Sequence, residues 1–159
     1  SAQVCQIVYT ITIMTGNKIV AKNRNAYHDF DLLEKIEAGI VLVGKEIKAI
    51  RDGKVDLTGS YARIMQIAPA DGQELFWLGG RVGIGEGSDR TKKLLVHGSE
   101  LKNLIGKSQI KGLTLVPLEL YLKHGRAKLC VAVARGRKLH DKRAAIKKKD
   151  IDRQQRRGE

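Results

Sequence analysis

Aromatic residues make up only 4% of this chain. That scarcity argues against a single-strand binder built on stacked rings. Cysteine is nearly absent too: Cys5 and Cys130 stand far apart and outside any C-x-x-C. They read as reduced thiols, not as a disulfide or a metal pair, and a cytoplasmic location is expected. No stretch approaches the roughly 18–20 apolar residues of a spanning helix, which disfavours a membrane partner. Catalytic signatures are missing as well. His28, His97, His124 and His140 have no partner at ligand spacing, and neither H-E-x-x-H nor a nucleophile elbow occurs. Gly83-Ile-Gly85-Glu-Gly87 lacks the G-K-[ST] of a phosphate cradle. The pairs Asp29/Asp31 and Glu34/Glu37 read as a solvated strand face, not as acid/base pairs. No enzyme, metal or cofactor is expected. Acidic residues are also short, 17 against 30 Lys/Arg, for a net charge of +13. Such a balance favours a polyanionic partner.

What is present is concentrated at the end. From Arg135 to Glu159 there are 11 Lys/Arg against 4 Asp/Glu, a local charge of +7, and after Leu139 the only aliphatics larger than alanine are Ile146 and Ile151. Such a segment buries too little apolar surface to offset its ordering entropy, so alone it is expected to be disordered. Composition leaves open whether it folds on a nucleic acid or merely solubilises the chain.

The 159 residues suit one domain with appendages. Residues 1–17 read as an extension outside the fold, with Met14 resembling a start site; no basic region precedes Lys18 to make a secretory signal. Alternation from Tyr27 to Leu42 predicts one long strand, with Phe30, Leu32, Ile36, Ala38, Ile40 and Leu42 on one face and a bend at Gly39. Val43, Ile47 and Ile50, followed by Gly53, predict a helix over Gly44–Asp52. Tyr61–Ile67 and Glu74–Leu78 read as a hairpin around Pro69-Ala-Asp-Gly72. A mobile glycine-rich loop is expected from Gly79 to Gly87. Leu94, Leu101, Leu104 and Ile105 predict a helix ending at Gly106. Thr114, Val116, Leu118, Leu120 and Leu122 share a face of one strand, and Leu129, Val131 and Val133 a face of the next, across a His124-Gly125 turn. Pro117 belongs at an edge or bulge. Short antiparallel strands with few helices and no βαβ rhythm predict a mainly β fold: a small antiparallel barrel of the oligonucleotide-binding type with short flanking helices, residues 18–134, followed by the basic tail, 135–159.

Several motifs in one order carry a family resemblance: Asn23-Arg-Asn-Ala-Tyr-His-Asp-Phe30, Glu37-Ala-Gly-Ile-Val-Leu42, Gly44-Lys-Glu-Ile-Lys-Ala-Ile-Arg51, Ser60-Tyr-Ala-Arg-Ile64, Lys92-Lys-Leu-Leu95, Gly112-Leu-Thr-Leu-Val-Pro-Leu118 and Ala134-Arg-Gly-Arg-Lys-Leu-His-Asp-Lys-Arg143. From Lys18 to its end the chain resembles the small protein B (SmpB) family, the tmRNA-binding proteins of bacterial trans-translation. The resemblance implies a non-enzymatic RNA-binding factor, one copy per tmRNA. Its barrel would hold the tRNA-like domain, and its tail would become helical in the empty mRNA channel of a stalled ribosome.

Carried over by motif, Asn23 and Glu37 are implied as polar RNA contacts of the first strand, and Lys128 as a cationic contact of the last. Read without the family, Glu37 is an ordinary solvated carboxylate and Lys128 an ordinary surface lysine. A carboxylate facing RNA makes sense if it accepts from base amino groups or orients a cation. Gly136 is implied as a hinge. Lys138, His140, Asp141, Lys142 and Arg143 match the decoding-centre motif, with the ring of His140 suited to stacking on a base. Lys147, Lys148, Lys149, Arg153, Arg156 and Arg157 are implied to line the channel. Gln66-Ile-Ala-Pro-Ala70 lengthens one connection relative to the family, and Gly-Ser-Asp-Arg90 replaces its usual Asp-Pro. A general basic RNA-binding protein and a barrel nuclease are the rival classes; the latter needs a carboxylate cluster that the sequence does not display.

Overall fold

The structure, a computed structural model, describes residues 17–68 and 72–137, together with Arg143, Lys147, Lys148, Ile151 and Arg153 of the tail, all five helical and exposed. All of the expected extension over residues 1–17 except Asn17 lies outside the described residues, as do Lys138, His140, Asp141, Lys142, Lys149, Arg156 and Arg157.

Among the described residues up to Arg137, nine strands and three helices follow in the order β1 (Lys18–Lys22), α1 (Arg24–Asp29), β2 (Phe30–Ile40), α2 (Gly44–Arg51), β3 (Val55–Asp56), β4 (Tyr61–Ala68), β5 (Gly72–Leu78), β6 (Arg81–Val82), β7 (Lys92–Leu95), α3 (Gly98–Ser108), β8 (Leu113–Lys123) and β9 (Arg126–Gly136). The main sheet runs β1-β8-β4-β5-β7-β2-β9, and β9 pairs back onto β8, which closes the ring into a barrel. Strand β8 is shared along its length: Leu115 meets Ala62 of β4, while Glu119–Leu122 carry β1. Strands β3 and β6 form a separate ribbon. Inside the ring lie Ile36, Leu75, Trp77, Leu115, Leu129 and Val131, with Ile50 of α2 and Leu104 of α3 joining the same core.

Two β-bulges decide which side chains face in. At Leu33 the register of β2 against β9 slips, so Leu32 opposes Ala134 while Glu34 opposes Val133. An inserted residue inverts the alternation beyond it. Phe30 and Leu32 therefore pack on the barrel's outer face, whereas Ile36 and Ala38 enter the core, and the single apolar face expected for this strand is split. Strand β8 repeats the device at Leu118, between Pro117 and Glu119. Val116 and Leu118 point outward; Leu120 and Leu122 point in. Pro117 sits beside a bulge, as its missing N–H requires. Gly39, expected as the bend, instead pairs with both Leu95 and Lys128.

The outward apolar side chains form a second cluster, Val116, Leu118, Tyr121, Cys130, Ala132 and Ala134, covered by Ala26 and Tyr27 of α1. That helix replaces the expected start of the long strand. Its N-cap is Asn23, whose Oδ1 accepts from the Ala26 N–H at 3.3 Å. Helix α2 matches its expected span and ends in a Schellman turn: Lys54 N–H donates to Ala49 C=O, Gly53 N–H to Ile50 C=O, and Gly53 has φ +75. Leu94 lies in β7 opposite Leu75, not in a helix, because the ring needs a strand between β5 and β2. Helix α3 passes through Gly106 to Ser108. His124 and Gly125, with φ of 51 and 76, make the two-residue turn between β8 and β9. The glycine-rich loop is tied down: Gly83 N–H donates to Lys54 C=O and Ser88 N–H to Gly85 C=O.

Candidate nucleic-acid interface

Directly opposed residues of paired strands share a face, so the registers place the outer surface of β2, β9 and β8 in rows. Gly39, Lys128 and Tyr121 make one row; Glu37, Cys130 and Glu119 make the next. Lys128 lies half-buried beside Gly39, where a Cβ would stand 3.8 Å from Nζ, an ordinary contact distance. Glu37 and Lys128, both implied by the family motifs, are thus brought into adjacent rows of one surface.

Glu37 is not the isolated carboxylate that its sequence position suggested. The Tyr121 hydroxyl, arriving from two strands away, donates to its Oε2. Lys123 Nζ stands 3.5 Å from its Oε1. Burial, and then the Glu37 hydrogen bond, push the Tyr121 phenol far above its usual range, so the hydroxyl remains a donor.

Asn23 lies elsewhere. It is only 4% exposed and belongs to no strand. Its backbone N–H donates to Leu118 C=O at 2.7 Å and its Nδ2 to Pro117 C=O at 3.0 Å. Its polar atoms therefore serve the helix cap and the β8 bulge. Beside it, Glu119 is 2% exposed, accepting from the Tyr27 hydroxyl and pairing with Lys22, both at 3.1 Å. Burial lifts its carboxyl to about 7. The ammonium groups of Lys22 and Lys35 stand 5.1 and 5.6 Å from the Tyr27 ring centre.

Gly136 is the last residue of β9, paired with Phe30, and Arg137 continues the attachment through Asp29 C=O and the Asp31 carboxylate. The barrel thus holds the chain through Arg137, and Gly136 is a paired strand residue. Arg90, in the loop that departs from the family pattern, forks onto Glu46 at 2.9 and 3.1 Å. Burial opposes ionisation of Glu46, but the Arg90 guanidinium and the Val43 amide outweigh it and hold the carboxyl below its ordinary value. Lys92, 1% exposed, lies 5.1 Å from the Trp77 ring centre and donates to Arg90 C=O. Both cations are spent on the fold. Tyr121, Lys123 and Lys22 were missed in the sequence; an aromatic on the polar side of the β8 pattern was the available signal for the first. Among the described residues no group of three His/Cys/Asp/Glu is placed to hold a metal, and no helix is long and apolar enough to cross a membrane.

The family model for the SmpB protein matches residues 20–158. The chain belongs to the SmpB family. Among similar SmpB-type proteins, the SsrA-binding protein of Parafrankia sp. is 45% identical over 149 residues, covering 88% of this chain and 89% of the relative. That of Syntrophobacter fumaroxidans is 42% identical over 144 residues, covering 86% of each. A solved chain described as "tmRNA-SmpB: a journey to the center of the bacterial ribosome" superposes with a TM-score of 0.60 at 43% identity, covering 76% of this chain and 85% of that one. The SmpB match spans both the barrel and the basic tail.

Proposed function

We propose that this chain binds the tRNA-like domain of tmRNA and delivers it to stalled ribosomes for trans-translation, acting as a binding factor and not a catalyst, in the cytoplasm where ribosomes work. The observation that carries this reading is the outer face of β2, β8 and β9, where Glu37 and Lys128 lie in adjacent rows on a chain of SmpB type. On it, Lys128 neutralises phosphate and positions the RNA, while Glu37 accepts from base amino groups. Asn23 contributes indirectly, by fixing α1 and the β8 bulge. The tail, from Lys138 through His140, Asp141, Lys142 and Arg143 to Lys147, Lys148, Lys149 and Arg153, enters the decoding centre and the empty mRNA channel. There its cations meet rRNA phosphate.

Capture of RNA by the purified full chain from a bacterial lysate, followed by sequencing, tests the reading. Enrichment of tmRNA that survives excess poly(U) is the expected result. Equal recovery of unrelated RNAs would point to a general basic RNA-binding protein instead.

A further inference from the structure

An ionised carboxylate has about four lone-pair positions. On Glu37, Tyr121 occupies one on Oε2 and Lys123 lies against Oε1. The side chain is still 35% exposed, so acceptor capacity remains towards solvent. A long strand carboxylate with no partners would turn freely, and its charge would repel an approaching phosphate. This one is held from across the width of β9, with an ammonium beside it to offset the charge.

We propose that Tyr121 is a positioning residue of the RNA face: with Lys123 it fixes the Glu37 carboxylate as an acceptor for the exocyclic amino group of an unpaired base, so Tyr121 governs base discrimination by acting through Glu37. The inference rests on Glu37 facing RNA. The ligand chemistry follows from the donors and their neighbours. Exocyclic amino groups of guanine, adenine or cytosine satisfy the free lone pairs; phosphate has no donor, and the single edge N–H of uracil lies between two carbonyl oxygens that repel a carboxylate. Tyr121 is 8% exposed and its ring packs in the outer cluster with Leu118 and Cys130, so Tyr121→Phe keeps the packing and removes only the donor. With the phenol held well above its usual range by burial, the donor persists across working pH.

The experiment is a double-mutant cycle on the full chain, using labelled tmRNA and labelled poly(U) as probes. Expected are a roughly tenfold loss of tmRNA affinity for Glu37→Gln and about fivefold for Tyr121→Phe, on the yardstick of tenfold per 1.4 kcal/mol. The double variant should be no weaker than Glu37→Gln alone. Poly(U), which carries no amino group, should bind all four proteins equally, and the melting midpoint of Tyr121→Phe should match that of the parent. If Glu37→Gln weakens tmRNA binding while Tyr121→Phe does not, or if the two losses add independently, the positioning role is overturned and the Glu37 face stands. A lowered midpoint with equal losses for both RNAs overturns it by making Tyr121 a folding residue. Full tmRNA affinity for Glu37→Gln overturns the reading of the face itself.

Discussion

Asn23 donates from Nδ2 to the carbonyl of Pro117 at 3.0 Å, across 94 positions of sequence. The bulge at Leu118 turns carbonyls of β8 away from their ladder, and Asn23 satisfies two of them, Pro117 through its side chain and Leu118 through its backbone N–H. The same side chain caps α1. Asn23→Ala removes a cap and leaves a buried acceptor unpaired, each a loss of about 1 kcal/mol. A destabilisation of about 2 kcal/mol is expected in denaturant titration, with tmRNA affinity of the folded fraction little changed. A large affinity loss at unaltered stability would show that Asn23 touches RNA directly.

Stability should depend on pH through two carboxyls of opposite sign. Glu119 is raised by burial from 4.5 to about 7. Its favourable contribution is complete below about 4.5 and is lost as pH climbs through about 7, at most about 3 kcal/mol and less to the extent that Lys22 offsets the charge. Glu46, held low by Arg90, contributes above its ordinary value and loses that contribution as pH falls. Denaturation across a pH series should place the maximum on the acidic side of neutrality. Glu119→Gln, which still accepts from Tyr27, should flatten the slope between about pH 5 and 8; an unchanged slope would clear Glu119 of the effect.

Barrel and tail should divide the labour. Truncation after Lys138 is expected to leave tmRNA binding largely intact and to abolish tagging on stalled ribosomes. Binding by the full chain should weaken linearly in log affinity against log salt, with a slope set by the phosphates neutralised. A collapse of tmRNA affinity in the truncated chain at physiological salt would contradict the division.

His140 tests the tail at one position. A ring stacked on a base is worth roughly 1–3 kcal/mol, so His140→Ala should slow single-turnover peptidyl transfer to alanyl-tmRNA about tenfold. His140→Tyr should retain most of the rate, and neither change should alter binding to free tmRNA. Equal rates for the alanine variant and the parent would leave His140 a bystander.

The barrel was legible where one local signal ruled. Val43, Ile47 and Ile50 with Gly53 gave α2, His124-Gly125 gave a hairpin, and Leu129, Val131 and Val133 gave the inward face of β9. The bulges at Leu33 and Leu118 were not legible, because Leu32–Leu33 and Leu118 carry apolar side chains on either face and mask the change of phase. Six residues are too few to display helical periodicity, so the last three of α1, Tyr27–Asp29, fall within the expected strand. Leu94 was claimed by a helical spacing that closure of the ring overrode. At the candidate site, Glu37 and Lys128 came from motif, but the partners of Glu37 lie 84 and 86 positions away and meet it only through the β8–β9–β2 register.

Trp77 is the only tryptophan of the chain, 1% exposed inside the barrel, with Lys92 over its ring and Gly80 so close that a Cβ there would stand 2.0 Å from Cζ2. The molecule consequently carries a built-in fluorophore whose emission reports closure of the β5–β7 wall. Because the indole sits inside the ring while Glu37 and Lys128 lie outside, a quench on adding RNA would signal deformation of the barrel, whereas silence would signal docking onto a rigid surface. One optical channel thereby separates unfolding from binding in every variant, with no label attached.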